Sequence, residues 1–147
     1  MKTIFDKPTR DELINRIRRL DENSKAEWGK MTIYQMLKHN TLWDDMITGK
    51  RKYRQAFIGR LFGKMALKGV LKDEKPLRRN TPTVPEFRIT GNGDVLSEKA
   101  KWIAQIEGYA HFSNPDFIHP FFGKMTTEQI GQMAYKHADH HLRQFNC

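Results

Sequence analysis

Three of the six histidines in this chain fall within five positions of one another, in the stretch YKHADHHLRQF from Tyr135 to Phe145. Imidazole does three kinds of chemistry near neutral pH: proton transfer, charge switching and metal ligation. Spacing helps to separate them. His137 and His141 stand four apart, so on a helix they are neighbours that can offer ring nitrogens to one ion. A third histidine from a facing element would complete a facial set and leave positions open for water, the arrangement of a reactive centre rather than a closed structural one. The bland alternative is a polar terminal helix with neighbouring histidines.

A repeated octet supplies the third candidate. GKMTIYQM (Gly29 to Met36) and GKMTTEQI (Gly123 to Ile130) share Gly-Lys-Met-Thr, then Gln and an apolar residue at matching places. Each reads as a helix entrance, with Thr32 or Thr126 accepting from a free amide while Gln35 or Gln129 reaches back. Two independent capping boxes and two pseudo-equivalent helices of one bundle account for the echo equally well. Counted from the shared threonine, His39 lies seven residues on, and His137 and His141 lie eleven and fifteen on. At about 100° per residue those offsets fall near −20°, +20° and +60°, one helix face. That face carries Met36 and Trp43 on one helix and Ile130, Ala134 and Phe145 on the other. His39, His137 and His141 are therefore expected to face inward together, while His140 stands to one side.

Four principal helices are needed to position them. The first is expected to open on a capping box at Thr9 and Glu12 and to bury Leu13, Ile14, Ile17 and Leu20. The second runs from Thr32 to Gly49, burying Ile33, Met36, Leu37, Trp43, Met46 and Ile47. A third opens at Ser97 and carries Ala100, Ile103, Ile106 and Ala110; the last starts at Thr126. Between the second and third lies an apolar and basic helical stretch, Ala56 to Leu71, weakened by Gly59, Gly63 and Gly69. KPLRRNTPTVPEF, with Pro76, Pro82 and Pro85, must be extended connection; EFRIT offers one short extended piece and SNPDFIHPFFG is loop. The fold class is all-α: a single-domain four-helix bundle over residues 1–147 with a basic amphipathic excursion between helices 2 and 3.

The 147 residues are enough for one domain with a genuine core, and 11% aromatic content argues against disorder. No apolar run approaches the length of a membrane span, and the first residues lack the pattern of a signal peptide. The single cysteine, Cys147, has no partner in the chain, so a reducing cytoplasm is the expected setting, with an inert, frayed terminus the default for that thiol. Residues 50–79 carry eleven lysines and arginines against Asp73 and Glu74, a surplus equal to the whole net charge of +9. The functional reading of this segment is contact with nucleic acid, an anionic membrane surface or an anionic small molecule, with Arg60, Lys64 and Lys68 as the contact candidates. The plainer reading, favoured here, packs Phe57, Leu61, Phe62 and Met65 onto the bundle while the lysines extend to water.

HADHHLRQF resembles the HxxHHxxQ signature that closes the last helix of the DinB/YfiT-like superfamily of four-helix metal proteins. WGKMTIYQMLKH, RRNTPTVPEF and HPFFGKMT are similar to the Trp-Gly…His segment, connecting loop and fourth-helix entrance of one bacterial family of unknown function within it. The resemblance implies metal ligation by His39, His137 and His141, the same three that helical phase selects. His140 and Gln144 also match the signature and are expected to orient a ligand imidazole or to pack between helices. His111 and His119 match nothing and read as ordinary loop or helix-end residues. Asp44, Asp45 and Asp139 read as exposed carboxylates. Tyr34, Trp43, Tyr135, Phe121 and Phe122 read as core, with lining of a pocket above the metal as the alternative.

Three neutral imidazoles suit zinc or nickel best, with iron and manganese also compatible. The resemblance implies a metal-dependent hydrolase or a low-molecular-weight-thiol transferase, acting on a small molecule or thiol cofactor and pairing as a homodimer. The alternative is a non-enzymatic binding protein that uses residues 50–79 to hold nucleic acid or another anionic partner.

Overall fold

A computed structural model describes residues 1–147. The chain is mostly helical: α1 (Lys7–Arg18), α2 (Ile33–Ile47), α3 (Phe57–Val70), α4 (Val95–Gly108) and α5 (Thr127–Gln144), with short 3₁₀ turns at Pro85–Phe87 and Tyr109–His111. One antiparallel hairpin, β1 (Ile118–His119) and β2 (Gly123–Lys124), pairs Ile118 with Lys124 and His119 with Gly123. All of that hairpin but Lys124 lies in the stretch expected to be loop. No helix is long and apolar enough to cross a membrane.

Helices α2 and α5 start as the echo predicts. Thr32 and Thr126 each accept from the amide three residues on, and Gln35 and Gln129 each accept in return from the threonine amide. The glycines three residues earlier match as well: Gly29 and Gly123 both take positive φ, at 81° and 75°. The two octets are thus one structural device used twice, a left-handed turn leading into a capping box.

Other boundaries differ from expectation. α1 begins at Lys7 after Asp6, with Pro8 in its first turn, so Thr9 lies inside the helix and is buried instead of capping it. Proline, lacking an amide hydrogen, is favoured where the first amides go unpaired, and it sets the start earlier. α4 begins at Val95, because the Asp94 carboxylate accepts from the Ser97 amide; Ser97 is the capped residue, not the cap. The EFRIT stretch forms part of a 3₁₀ turn, with Phe87 buried.

α2 packs on α4, α1 on α4 and α5, and α2 on α5. The core between them holds Leu13, Ile17, Met36, Leu37, Met46, Ile47, Trp102, Ile106 and Leu142, all at most 2% exposed. Of the residues expected along this helix, Ile106 is buried and Ile103 half-buried against the core, but Ala100 and Ala110 are exposed, and Val95, Glu98, Trp102 and Gln105 turn inward with Ile106. Glu98 accepts from the Thr41 hydroxyl and from Lys38, and Gln105 donates to the Thr41 carbonyl and to Asp45, so the α2–α4 contact is partly polar.

α3 lies on the hairpin rather than on the core helices. Gly59 and Gly63 face the Phe121–Phe122 backbone so closely that a Cβ at Gly63 would lie 2.1 Å from the Phe121 carbonyl oxygen. Lys136 of α5 donates to the Val70 and Asp73 carbonyls at 2.7 and 2.8 Å and ties down the C-terminal end of α3. The expected packing of Phe57, Leu61, Phe62 and Met65 onto the body does not occur. They are 76%, 62%, 51% and 70% exposed, because the glycine face, which alone can approach a backbone closely, takes the inner side. Arg60, Lys64 and Lys68 are exposed as expected, with Lys64 also donating to the Lys124 carbonyl.

Candidate metal centre

Helical phase turns into contact where α2 meets α5. His39, His137 and His141 are all buried, and their ligand atoms lie within 4.8 Å of one another, close enough to hold one metal ion. The shortest approach is between Nε2 of His39 and Nε2 of His137, 3.1 Å. Two nitrogens bound to a common ion at about 2.0–2.1 Å, and about 90–110° apart, are separated by about 2.9–3.4 Å, so this pair already stands at the spacing of a coordination edge.

Hydrogen bonds set two of the tautomers. Nδ1 of His39 lies 3.0 Å from the Phe87 carbonyl oxygen, which can only accept, so that nitrogen carries the proton and Nε2 keeps its lone pair. Nδ1 of His141 lies 2.9 Å from Oε1 of Gln144. The Gln144 amide is held in that orientation because its Nε2 donates to the Trp28 carbonyl at 2.9 Å. His141 therefore donates through Nδ1 and presents Nε2 as a lone pair. Gly29 makes this approach possible: a Cβ there would lie 2.8 Å from Nε2 of Gln144.

Burial keeps all three rings neutral. Removal from water pushes the His39 pKa down, and pushes those of His137 and His141 well down, with the neighbouring imidazoles adding to the effect. Neutral imidazole is the ligating form. His137 is sandwiched further by Trp43, whose ring stacks on it at 4.4 Å and 15°. Phe87 stands edge-on to His39 with ring centres 6.0 Å apart.

His140, the remaining histidine of the signature, does not join the triad. It is half-buried, edge-on to Trp28 at 5.8 Å and to His141 at 5.1 Å, and it lines a cleft of about 530 Å³ on the other side. Arg19, Arg79 and Arg143 line the same cleft, and no carboxylate side chain does. The guanidinium of Arg79 lies 4.1 Å over the Trp28 ring.

The three aspartates are not exposed as the sequence suggested, and none reaches the triad. Asp44 is buried and accepts from the Tyr109 hydroxyl at 2.7 Å; burial pushes its pKa up to about 7. Asp45 is held by Gln105 and Lys101, and Asp139 by Arg16 at 2.8 Å and Arg143 at 2.7 Å. Their partners come from distant positions in the chain, which is why local pattern made them look solvated. Of the aromatic set, Trp43 touches the triad and Phe122 stands one ring away, against His119. Tyr135 instead lies under Lys2, and Tyr34 lies against Gly93.

Residues 4–147 match the family described as "Protein of unknown function (DUF1569)". The chain belongs to the DUF1569 family. No curated protein and no solved structure matches it.

Two contributors to the centre of this DUF1569 chain had no recognisable signal. Phe87 acts through its backbone carbonyl, which any residue would supply. His119 is buried, and its Nδ1 accepts from the amides of Phe121 and Phe122 at 3.1 Å each. Its ring packs on Phe122 at 4.5 Å and lies 6.4 Å from Trp43, so it braces the ring that covers His137. His111, by contrast, is exposed at a 3₁₀ turn, as an ordinary helix-end residue should be. The terminus is not frayed: Arg16 donates to the Cys147 carbonyl at 2.8 Å and the Cys147 amide donates to Leu142.

Proposed function

We propose that this DUF1569 protein is a metal-dependent enzyme of hydrolase or low-molecular-weight-thiol transferase type, with His39, His137 and His141 as the ligands of one divalent ion. The packing of α1, α2, α4 and α5 supports a four-helix bundle of the DinB/YfiT-like kind as the scaffold. One observation carries the metal reading: the Phe87 carbonyl and the Gln144 amide each occupy the Nδ1 side of a ring, so Nε2 of His39 and of His141 keep their lone pairs in a buried cluster where Nε2 of His39 lies 3.1 Å from Nε2 of His137. Without a shared proton or a cation, crowded lone pairs of this kind repel. Zinc and nickel fit three neutral nitrogens best, and iron and manganese remain compatible.

When bound, such an ion would supply Lewis acidity, lowering the pKa of a water or thiol at its open position. The chain's own part is positioning. Gln144, fixed by the Trp28 carbonyl, holds the His141 ring in its ligating tautomer, and the Phe87 carbonyl does the same for His39. Trp43 and Phe87 cover the rings with apolar surface, which strengthens any charge interaction beneath them. The cleft beyond His140, where Arg19 and Arg79 join an Arg143 already paired with Asp139, favours an anionic substrate or thiol cofactor. Asp44, Asp45 and Asp139 are committed to other partners, so no catalytic base is assigned to them.

Metal analysis of the purified protein beside a His137→Ala/His141→Ala variant tests the reading. About one divalent ion per chain is expected in the wild type and none in the variant. Equal, sub-stoichiometric metal in both would dispose of it.

A further inference from the structure

The outward face of α3 is the feature that the metal reading leaves unused. Phe57, Ile58, Leu61, Phe62 and Met65 are each more than half exposed, and they make up five of the eight large apolar residues exposed anywhere on the chain. At about 100° per residue they fall within an arc of about 140°, roughly opposite the buried Gly59, Gly63 and Leu67. Arg60, Lys64 and Lys68 run along one flank of that arc. Beyond the helix ends, Lys50, Arg51, Lys52, Arg54, Lys72 and Lys75 are exposed too.

Rotation cannot hide the apolar arc. The seat of α3 is the Phe121–Phe122 backbone, where a Cβ at Gly59 or Gly63 would come within 2.4 or 2.1 Å of the Phe121 oxygen, so a larger side chain cannot take the glycines' place. The Lys136 bonds to the Val70 and Asp73 carbonyls hold the helix end against the body. α3 is thus a fixed element that presents phenylalanine, leucine, isoleucine and methionine to the outside with cations beside them.

We propose that α3 is a membrane-surface anchor that lies in the plane of an anionic lipid leaflet. A helix of 14 residues with an apolar face, a basic flank and no spanning length has the properties of an interfacial helix. Charge selects this occupant over the others. A second copy docking face to face would bring two segments with a surplus of +9 together. A nucleic acid would engage the basic flank and leave the aromatic and aliphatic face in water. An anionic leaflet satisfies both faces at once: headgroups take the lysines and arginines, and the acyl boundary takes the apolar side chains.

Co-sedimentation of the full chain with vesicles tests this, using phosphatidylcholine alone and phosphatidylcholine mixed with phosphatidylglycerol. Binding is expected to the mixed vesicles only and to weaken as salt is raised. Arg60→Gln/Lys68→Gln should lower partitioning about 30-fold at low salt, and Phe57→Ser/Leu61→Ser at least tenfold. All four positions are exposed, so unchanged circular dichroism and thermal unfolding are expected alongside. Absence of vesicle binding would overturn the proposal, as would equal binding by the Phe57→Ser/Leu61→Ser variant. So would a vesicle-free dimer in sedimentation velocity that this variant abolishes, or duplex nucleic acid that binds wild type and this variant equally and displaces the vesicles.

Discussion

Replacing His119 with asparagine keeps a hydrogen-bond acceptor near the Phe121 and Phe122 amides while removing a titratable group. In the folded chain, burial pushes the His119 pKa down to about 4, against 6.5 for the free side chain. Between those two values the unfolded chain binds a proton at this position that the folded chain refuses. Stability therefore rises with pH across that window: the contribution is complete above about pH 6.5 and is lost as pH falls toward 4. The gap of roughly 2.5 units corresponds to about 3 kcal/mol, approached at about 1.4 kcal/mol per pH unit. Urea unfolding of the metal-free protein and the His119→Asn variant, repeated from pH 7.5 downward for as long as both remain folded, gives the difference directly. The triad titrates in both proteins, so its own contribution cancels apart from the charge coupling between His119 and His137, the weakest of the influences that lower the His137 pKa. The wild type is expected to lose ground steadily to the variant below about pH 6.5. A stability difference that stays flat over this range would refute the reasoning, because it would mean that His119 accepts its proton in the folded state as readily as in the unfolded one.

Two further substitutions separate positioning from packing. Gln144→Ala removes the acceptor at Nδ1 of His141 and should weaken divalent-metal binding about 10- to 100-fold in a chelator competition, while Gln144→Glu keeps that acceptor but sets a carboxylate oxygen against the Trp28 carbonyl and should recover only part of the affinity. Unchanged affinity in Gln144→Ala would deny the orienting role. Gly63→Ala forces a methyl group against the Phe121 carbonyl and should cost about 1–3 kcal/mol despite better helix propensity, whereas Gly69→Ala meets open space and should gain up to about 1 kcal/mol. Equal effects at the two positions in denaturant titrations would show that α3 does not sit where described.

The triad was legible because helical phase converts sequence spacing into a shared face. Once Thr32 and Thr126 were taken as caps, His39, His137 and His141 followed, and the capping boxes are present as read. The sequence showed α3 as a helix but not which way it faced. Its residues form two surfaces able to pack, one of glycines and one of large apolar side chains, and periodicity cannot rank them. The choice is made by the Phe121–Phe122 backbone, some sixty positions away. The aspartates were misread for a similar reason. Asp44 depends on Tyr109, Asp45 on Gln105 and Asp139 on Arg16, contacts that exist only once the helices have met. Phe87 was invisible in another way, since a backbone carbonyl leaves no trace in residue type.

The stacking of Trp43 on His137 has a use beyond shielding. An indole 4.4 Å from a candidate ligand ring is well within the range over which an open-shell ion drains an excited state, and Trp43 is itself only 5% exposed. Trp28 sits beneath Arg79, and Trp102 is fully buried in the core, so the three emitters occupy three different surroundings. The chain therefore carries its own optical probe of the triad. Emission from Trp43, isolated by replacing both Trp28 and Trp102 with phenylalanine, would follow the filling and emptying of that site by an open-shell ion such as nickel in real time without any label.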